Sequence, residues 1–445
     1  MIQEPRISKH LSSSRVDLIN ETIQSHRYAL SLNQDNADIL FNTAQVLTTA
    51  AETAQETKDP DAQNEAITLL KEAVELFSSC LSRQELDFTE SQAQAEIDPT
   101  SQDDDEGDLE RMSTTSSQPP QEWATVMEPV TANTLVETAL AELNTLTTLV
   151  SLTSSTGGPD SNDYRAFADV AEILIQQKLP QYIALVPTTS PEEATPAPTA
   201  RFLSLSDATP TLHVSTPTPP TNPQADATHA ASLAAAIFSA AVAEAEYRGG
   251  LSTASTYAAR ATRAFATVPA DTPVHSIQQA AAHADALVAF AAAAADDDDA
   301  GVPALRAAAL DAARARLADA AALMPRVGGV DAGVPSAAAV ALLRGDVEMM
   351  RRVVAEGKGV GADAMLEGAA GCYGSGAGAA HGDEDEEREV GVKRAVVGVL
   401  RGVVGAEELA SLVKDGKARM VVSEMEEEGL LRKSDKEKLA AILKG

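Results

Sequence analysis

Almost all of the apolar surface that this chain can bury comes from Ala, Leu and Val. Hydrophobic residues make up 44% of the sequence, yet aromatic residues only 3%. Strands favour β-branched and aromatic side chains, so sandwiches and barrels are poorly served by such a composition. Helices are well served, because Ala has the highest intrinsic helix propensity and its single methyl lets neighbouring backbones approach closely. The expected class is all-α. At 445 residues the chain is long enough for about three domains or one extended repeat array.

The first ninety residues show how such helices are laid out. Val16, Ile19, Ile23 and Leu30 recur at helical spacing and predict an amphipathic helix over Arg15–Leu32. Asn33-Gln34-Asp35-Asn36 has turn chemistry and ends it. A second helix, Ala37 to about Gln55, presents Leu40, Ala44 and Leu47 on one side. A polar loop over Thr57–Asn64, containing Pro60, separates it from a third helix, Glu65 to about Leu86. The buried face expected there is Ala66, Leu69, Leu70, Ala73, Leu76, Phe77 and Leu81.

The string Glu65-Ala66-Ile67-Thr68-Leu69-Leu70-Lys71-Glu72-Ala73-Val74-Glu75-Leu76 resembles the second helix of a tetratricopeptide (TPR) repeat, with two Ala positions seven apart. Tyr28-Ala29-Leu30-Ser31-Leu32, followed by Asn36, is similar to the end of that helix in a preceding repeat, and Ala44 falls where the first helix carries a small residue. Ala29 and Ala73 lie 44 residues apart, ten more than the 34-residue TPR period, and the loop over Thr57–Asn64 is expected to hold the excess. Gln34, where the family often has Pro, and Thr43, where it has a large apolar residue, depart from the pattern. The resemblance implies a right-handed solenoid of helical hairpins.

Downstream, residues 98–121 are rich in Asp, Glu, Ser, Thr, Gln and Pro and are expected to be a disordered acidic insertion of the TPR-like unit, residues 15–97. A helical continuation over 122–186 follows, with helices at Val130–Leu152 (Thr131 or Asn133 capping it) and Asp163–Gln177, divided by Gly157-Gly158-Pro159. Residues 187–226 read as a Pro/Thr-rich linker. Ala-rich hairpins fill 227–355: Ala227–Tyr247, Leu251–Val268, Val274–Ala295, Val302–Leu323 and Ser336–Ala355. A Gly- and acid-rich loop over 356–389 is expected to be disordered, and 390–445 holds short helices that either cap the array or form a separate bundle.

Chemistry-bearing motifs are sparse. Gly357-Lys358-Gly359-Val360-Gly361 superficially resembles a phosphate loop but has no preceding strand and no Ser or Thr after the Lys. Asp296–Asp299 lacks the Gly-centred context of a calcium loop, and His275 and His283, eight apart, join no carboxylate pattern. No nucleophile elbow or metalloprotease helix is present, so neither catalysis nor a cofactor or metal is expected. Cys80 and Cys372 are far apart, without a nearby His, which fits a reducing compartment rather than a disulfide framework. The first fifteen residues lack the apolar core of a signal peptide, and Ala230–Ala243 is too short for a span of ~20 residues. The Asn20 sequon therefore carries no glycosylation meaning. With no basic localisation cluster either, the expectation is a cytoplasmic protein, nuclear presence being left open.

What remains is a binding scaffold. Lys and Arg number 34 against 66 Asp and Glu, a net charge of −32, which repels nucleic-acid backbones and suits a basic protein partner. If Ala37–Gln55 is the first helix of a TPR, its groove-facing residues are Asp38, Phe41, Gln45, Thr48 and Glu52, joined by Glu137 and Glu142 of the Val130–Leu152 helix. Three readings follow. The first is an escort for a basic client such as a ribosomal protein, similar in type to acidic TPR assembly chaperones. The second is a histone chaperone, because some of those are TPRs interrupted by acidic insertions. The third is a heat-shock chaperone adaptor, disfavoured because Phe41 and Gln45 stand where a clamp Lys and Asn are expected.

Overall fold

The computed structural model of the chain describes residues 15–55, 60–97, 129–155, 163–188, 222–297, 299–324, 334–355, 361–379, 384–414 and 416–444. Of these described residues 86% are helical and none is in a strand, so the fold is all-α. The amino-terminal helices are α1 (Arg15–Leu32), α2 (Ala37–Gln55), α3 (Pro60–Ile97) and α4 (Ala132–Ser155). Next, α5 (Asp163–Ile173) passes through a π turn (Leu174–Lys178) into α6 (Leu179–Leu185). The Ala-rich helices are α7 (Pro223–Arg248), α8 (Ala254–Ala266), α9 (Pro273–Ala293), α10 (Val302–Leu323) and α11 (Ala337–Val354). The chain closes with α12 (Ala362–Ala379), α13 (Glu384–Arg401), α14 (Ala406–Leu412), α15 (Gly416–Glu427) and α16 (Lys433–Lys444).

Short polar side chains set many of the starts. The side-chain oxygen of Asn36 accepts the Ile39 N–H at 3.0 Å, Thr131 that of Thr134 at 3.2 Å, and Ser336 that of Ala339 at 2.8 Å. Asn222, Thr253 and Thr272 cap α7, α8 and α9 in the same way. Each satisfies an amide that the first helical turn leaves without an internal acceptor.

Successive helices pack on one another along the chain: α1 on α2, α2 on α3, α3 on α4, α4 on α7, and then stepwise from α7 to α13. The α5–α6 segment lies against α4 and α7. The apolar core is correspondingly a chain of overlapping clusters. Ile19, Leu47 and Phe77 tie α1–α3; Leu143, Leu174 and Phe238 tie α4–α7; Tyr257, Phe290 and Leu317 tie α8–α10. Fully buried Ala243, Ala261, Ala284, Ala313 and Ala320 permit the close approach in the second half. The few aromatics sit at the junctions: Tyr257 meets Phe290 edge-on with centroids 5.2 Å apart.

Several boundaries differ from the sequence expectation. α3 runs Pro60–Ile97 rather than Glu65–Leu86, because Pro60 fits the first helical position and Asp61 favours the positive end of the helix. Of the loop expected over Thr57–Asn64, residues 60–64 are helical and 57–59 lie outside the described residues. The helix expected to stop at Gln177 continues to Leu185: widening to a π turn just before Pro180 relieves the clash of its ring with the carbonyl four residues back. α7 starts at Pro223, inside the expected 187–226 linker. Val16, assigned to the buried face of α1, is 51% exposed.

The largest correction concerns 356–389, where a disordered loop was expected. Here α12 forms, burying Leu366, Ala369, Tyr373 and Gly376, a helical stripe inside a Gly-rich stretch. Val390, Val396, Val422, Met425 and Leu439 share one core with Leu342 and Met349 of α11, so the last helices pack onto α11. The acidic insertion 98–121, Gly157–Pro159, Gly357–Val360 and most of the 187–226 linker lie outside the described residues.

By length and composition α7 is also apolar enough to cross a membrane, with a mean hydropathy of 1.2 over its most apolar window. Its apolarity comes mostly from Ala, and 44% of that window is buried among the other helices.

Candidate functional site

The expected groove residues on α2 divide. Asp38, Gln45 and Glu52, seven apart, form an exposed stripe. Phe41 does not join them: it turns inward and meets Phe77 of α3 edge-on, centroids 5.6 Å apart. Thr48 is half-buried, its hydroxyl bonded to the Ala44 carbonyl at 3.0 Å and 3.4 Å from the Thr145 hydroxyl of α4. That contact brings α2 alongside α4, on which Glu137 is exposed.

Glu142 requires a correction. It is 2% exposed, held between α3 and α4, and so offers a partner nothing. Ser78 donates to its Oε1, while Oε2 has no hydrogen-bond partner. Burial raises its pKa, against the Ser78 hydrogen bond and the Lys178 charge, which both lower it. A carboxyl whose folded pKa lies above its unfolded value loses stability as pH rises through the folded pKa. Glu142→Gln is therefore expected to stabilise the protein at pH 7.5 by about 1–3 kcal/mol, the scale of an unsatisfied buried polar group. In acid, where both side chains are neutral, the gain should vanish. Thermal melts of both proteins at pH 7.5 and in acid check this; a lower melting point for the variant at pH 7.5 would contradict it.

A second site escaped the sequence reading. Where α9, α11 and α13 converge there is a pocket of about 300 Å³. Ala339, Leu342 and Leu343 contribute apolar walls, and Asp285, Asp346, Glu386 and Glu389 stand around them. Lys393 reaches Asp346 at 2.9 Å and Glu389 at 2.8 Å. Burial alone would lower the pKa of this ammonium, but the two carboxylates hold it above the usual lysine range. Ser336 donates to Glu386 at 2.8 Å. Asp285 has no ion-pair partner among the described residues, and although open to solvent on one side, it is crowded enough that burial pushes its carboxyl up to about 6. The signal in the sequence was slight: Asp285 is the only charged residue of the Ala-rich α9. Glu386 and Glu389 fall within the stretch whose composition predicts an acidic loop.

The remaining candidates are structural. Asp297 accepts the Tyr247 hydroxyl at 2.7 Å and the Asp299 N–H at 3.0 Å, closing the turn before α10. His275 and His283 are buried between helices, His283 stacked on Phe265 with centroids 5.0 Å apart. Cys80 is fully buried, and burial pushes its thiol up to about 12, far from a reactive thiolate. Among the described residues no three His, Cys, Asp or Glu side chains are placed to hold a metal ion. Comparison with known protein families, curated proteins and solved structures finds no match.

Proposed function

We propose that this protein is a non-enzymatic scaffold, its helix hairpins stacked as a TPR-like right-handed solenoid, that holds a Lys/Arg-rich segment of a basic client such as a ribosomal protein. The observation that carries this reading is the α9–α11–α13 pocket. Its apolar walls match the methylene stem of Lys or Arg, and Asp285 supplies a carboxylate without a cation. The net charge of −32 adds attraction at long range, and the exposed Asp38, Glu52 and Glu137 extend the acidic surface. Against the heat-shock adaptor stands Phe41, which packs half-buried on Phe77 where a clamp Lys is expected.

The test is binding of a fluorescent Lys/Arg-rich peptide, read by anisotropy. Asp285→Asn should weaken binding about tenfold, near 1.4 kcal/mol. A cation is held by the ionised carboxyl, so wild-type affinity should fall between pH 7.5 and pH 5.5, a step that Asp285→Asn should lack. Equal affinities for the two proteins would exclude the pocket as the basic-residue site. Affinity capture at low and moderate salt then identifies the client, ribosomal protein or histone; long-range attraction fades over ~8 Å at physiological ionic strength, while pocket contacts persist.

A further inference from the structure

His229 of α7 and His275 of α9 form a buried stacked pair. Their ring centroids lie 4.0 Å apart with planes inclined by 10°, and the residues are 2% and 6% exposed. His229 Nδ1 is 2.6 Å from the Pro269 carbonyl in the turn between α8 and α9. A carbonyl only accepts, so this nitrogen carries the hydrogen. On the far side of the stack, His275 Nε2 lies 3.1 Å from Asp226 Oδ1 of α7. The pair thus ties three segments together: the start of α7, the α8–α9 turn and the start of α9.

One hydrogen on each ring, at Nδ1 of His229 and Nε2 of His275, is enough to make both contacts. The charges that act most on His229 are His275 and Asp226, and Gln278 of α9 lies beside it. One added proton has Asp226 as counter-ion. On His229 that proton is buried against the His275 ring, 4.0 Å away, with only the half-exposed Asp226 carboxylate on the far side of the stack to offset it.

We propose that the His229–His275 stack is an acid-released latch, holding α9 and the α8–α9 turn onto α7 when the buried His229 ring is neutral and letting them part when it is protonated. The His229 pKa shift agrees in sign: burial lowers it, the Pro269 contact raises it and His275 lowers it, with a net decrease. A depressed histidine pKa favours the open form as pH falls below the ordinary value of about 6.5. His283, further along α9, faces Phe265 and Arg316 and has its own pKa lowered to about 4, chiefly by burial. It must be separated from the latch by experiment.

Hydrogen exchange of the full chain at pH 7.5 and pH 5.5, corrected for the intrinsic pH dependence, tests the proposal. The wild type should lose at least tenfold protection at pH 5.5 in residues 223–232 and 267–280, with α2 and α3 unchanged. His229→Asn with His275→Gln retains an amide donor toward Pro269 and toward Asp226 but cannot titrate; it should keep its protection at both pH values. If that double variant does not fold, His229→Asn alone, which removes the buried titratable ring, gives the comparison. Uniform wild-type exchange across the helices, or opening of the variant equal to that of the wild type, would overturn the latch. In the latter case a His283→Asn variant that stays closed assigns the acid response to His283 instead.

Discussion

Alanine at either Arg352 or Asp435 should release the C-terminal helices from the array at a cost of about 3–5 kcal/mol, the usual penalty for stranding one member of a buried ion pair. The two side chains are 8% and 7% exposed and meet in a bidentate contact between α11 and α16, with Nη2 to Oδ1 at 3.1 Å. Asp435 also accepts the Arg432 N–H at 3.1 Å, and the Arg432 guanidinium donates back to the Arg352 carbonyl at 2.6 Å. Removing one partner leaves the other's charge buried without its counter-charge. Replacing both, as Arg352→Met with Asp435→Leu, removes the desolvation problem with the pair and should cost far less. Urea titration followed by hydrogen exchange in α16 measures both. Equal losses for the single and double variants would show that packing, not charge, holds this corner.

Gly345→Val should be comparably damaging, and for an opposite reason: too much matter rather than too little. Gly345 lies within α11, where Ala ordinarily stabilises a helix relative to Gly by about 1 kcal/mol. Here a Cβ would overlap the Tyr373 ring of α12, approaching its Cδ1 to 2.7 Å. The ring cannot retreat. It is fully buried, and its hydroxyl donates to Asp346 at 2.7 Å, itself held by Lys393. Overpacking of this kind costs about 1–3 kcal/mol for small additions, and a β-branched side chain adds a stiff second methyl. Gly345→Ala should be destabilising against its propensity, and Gly345→Val more so. Chemical denaturation of Gly345→Ala, Tyr373→Ala and the double variant gives the coupling: the double loss should fall well short of the sum.

That glycine also shows where reading the sequence stops. Arg15–Leu32, Ala37–Gln55 and Val302–Leu323 are legible because an apolar stripe at helical spacing meets a local start or stop signal. The far end of α3 is polar and good helix-forming, with no stripe to mark its limit. α12 is poor helix-forming sequence, made helical by the fit of its Gly and Ala positions against α11 and α13, a contact between segments that no local window contains. The site behaved likewise. Asp38, Gln45, Glu52 and Glu137 lie at the surface as their spacing suggests, but helical period cannot say which neighbour covers the adjoining positions. Phe77 covers Phe41, and α3 covers Glu142. The pocket around Asp285 draws on three helices spread over a hundred residues, and only their convergence gives that lone carboxylate a context.

Stepwise packing from α7 to α13 has a consequence for how a lineage of such chains can change. No central residue is touched by all the others, so a hairpin added or dropped at a junction disturbs two neighbours and leaves distant helices intact. Descendants of one ancestor can therefore drift in length by whole hairpins while each surviving junction keeps its own small set of rules.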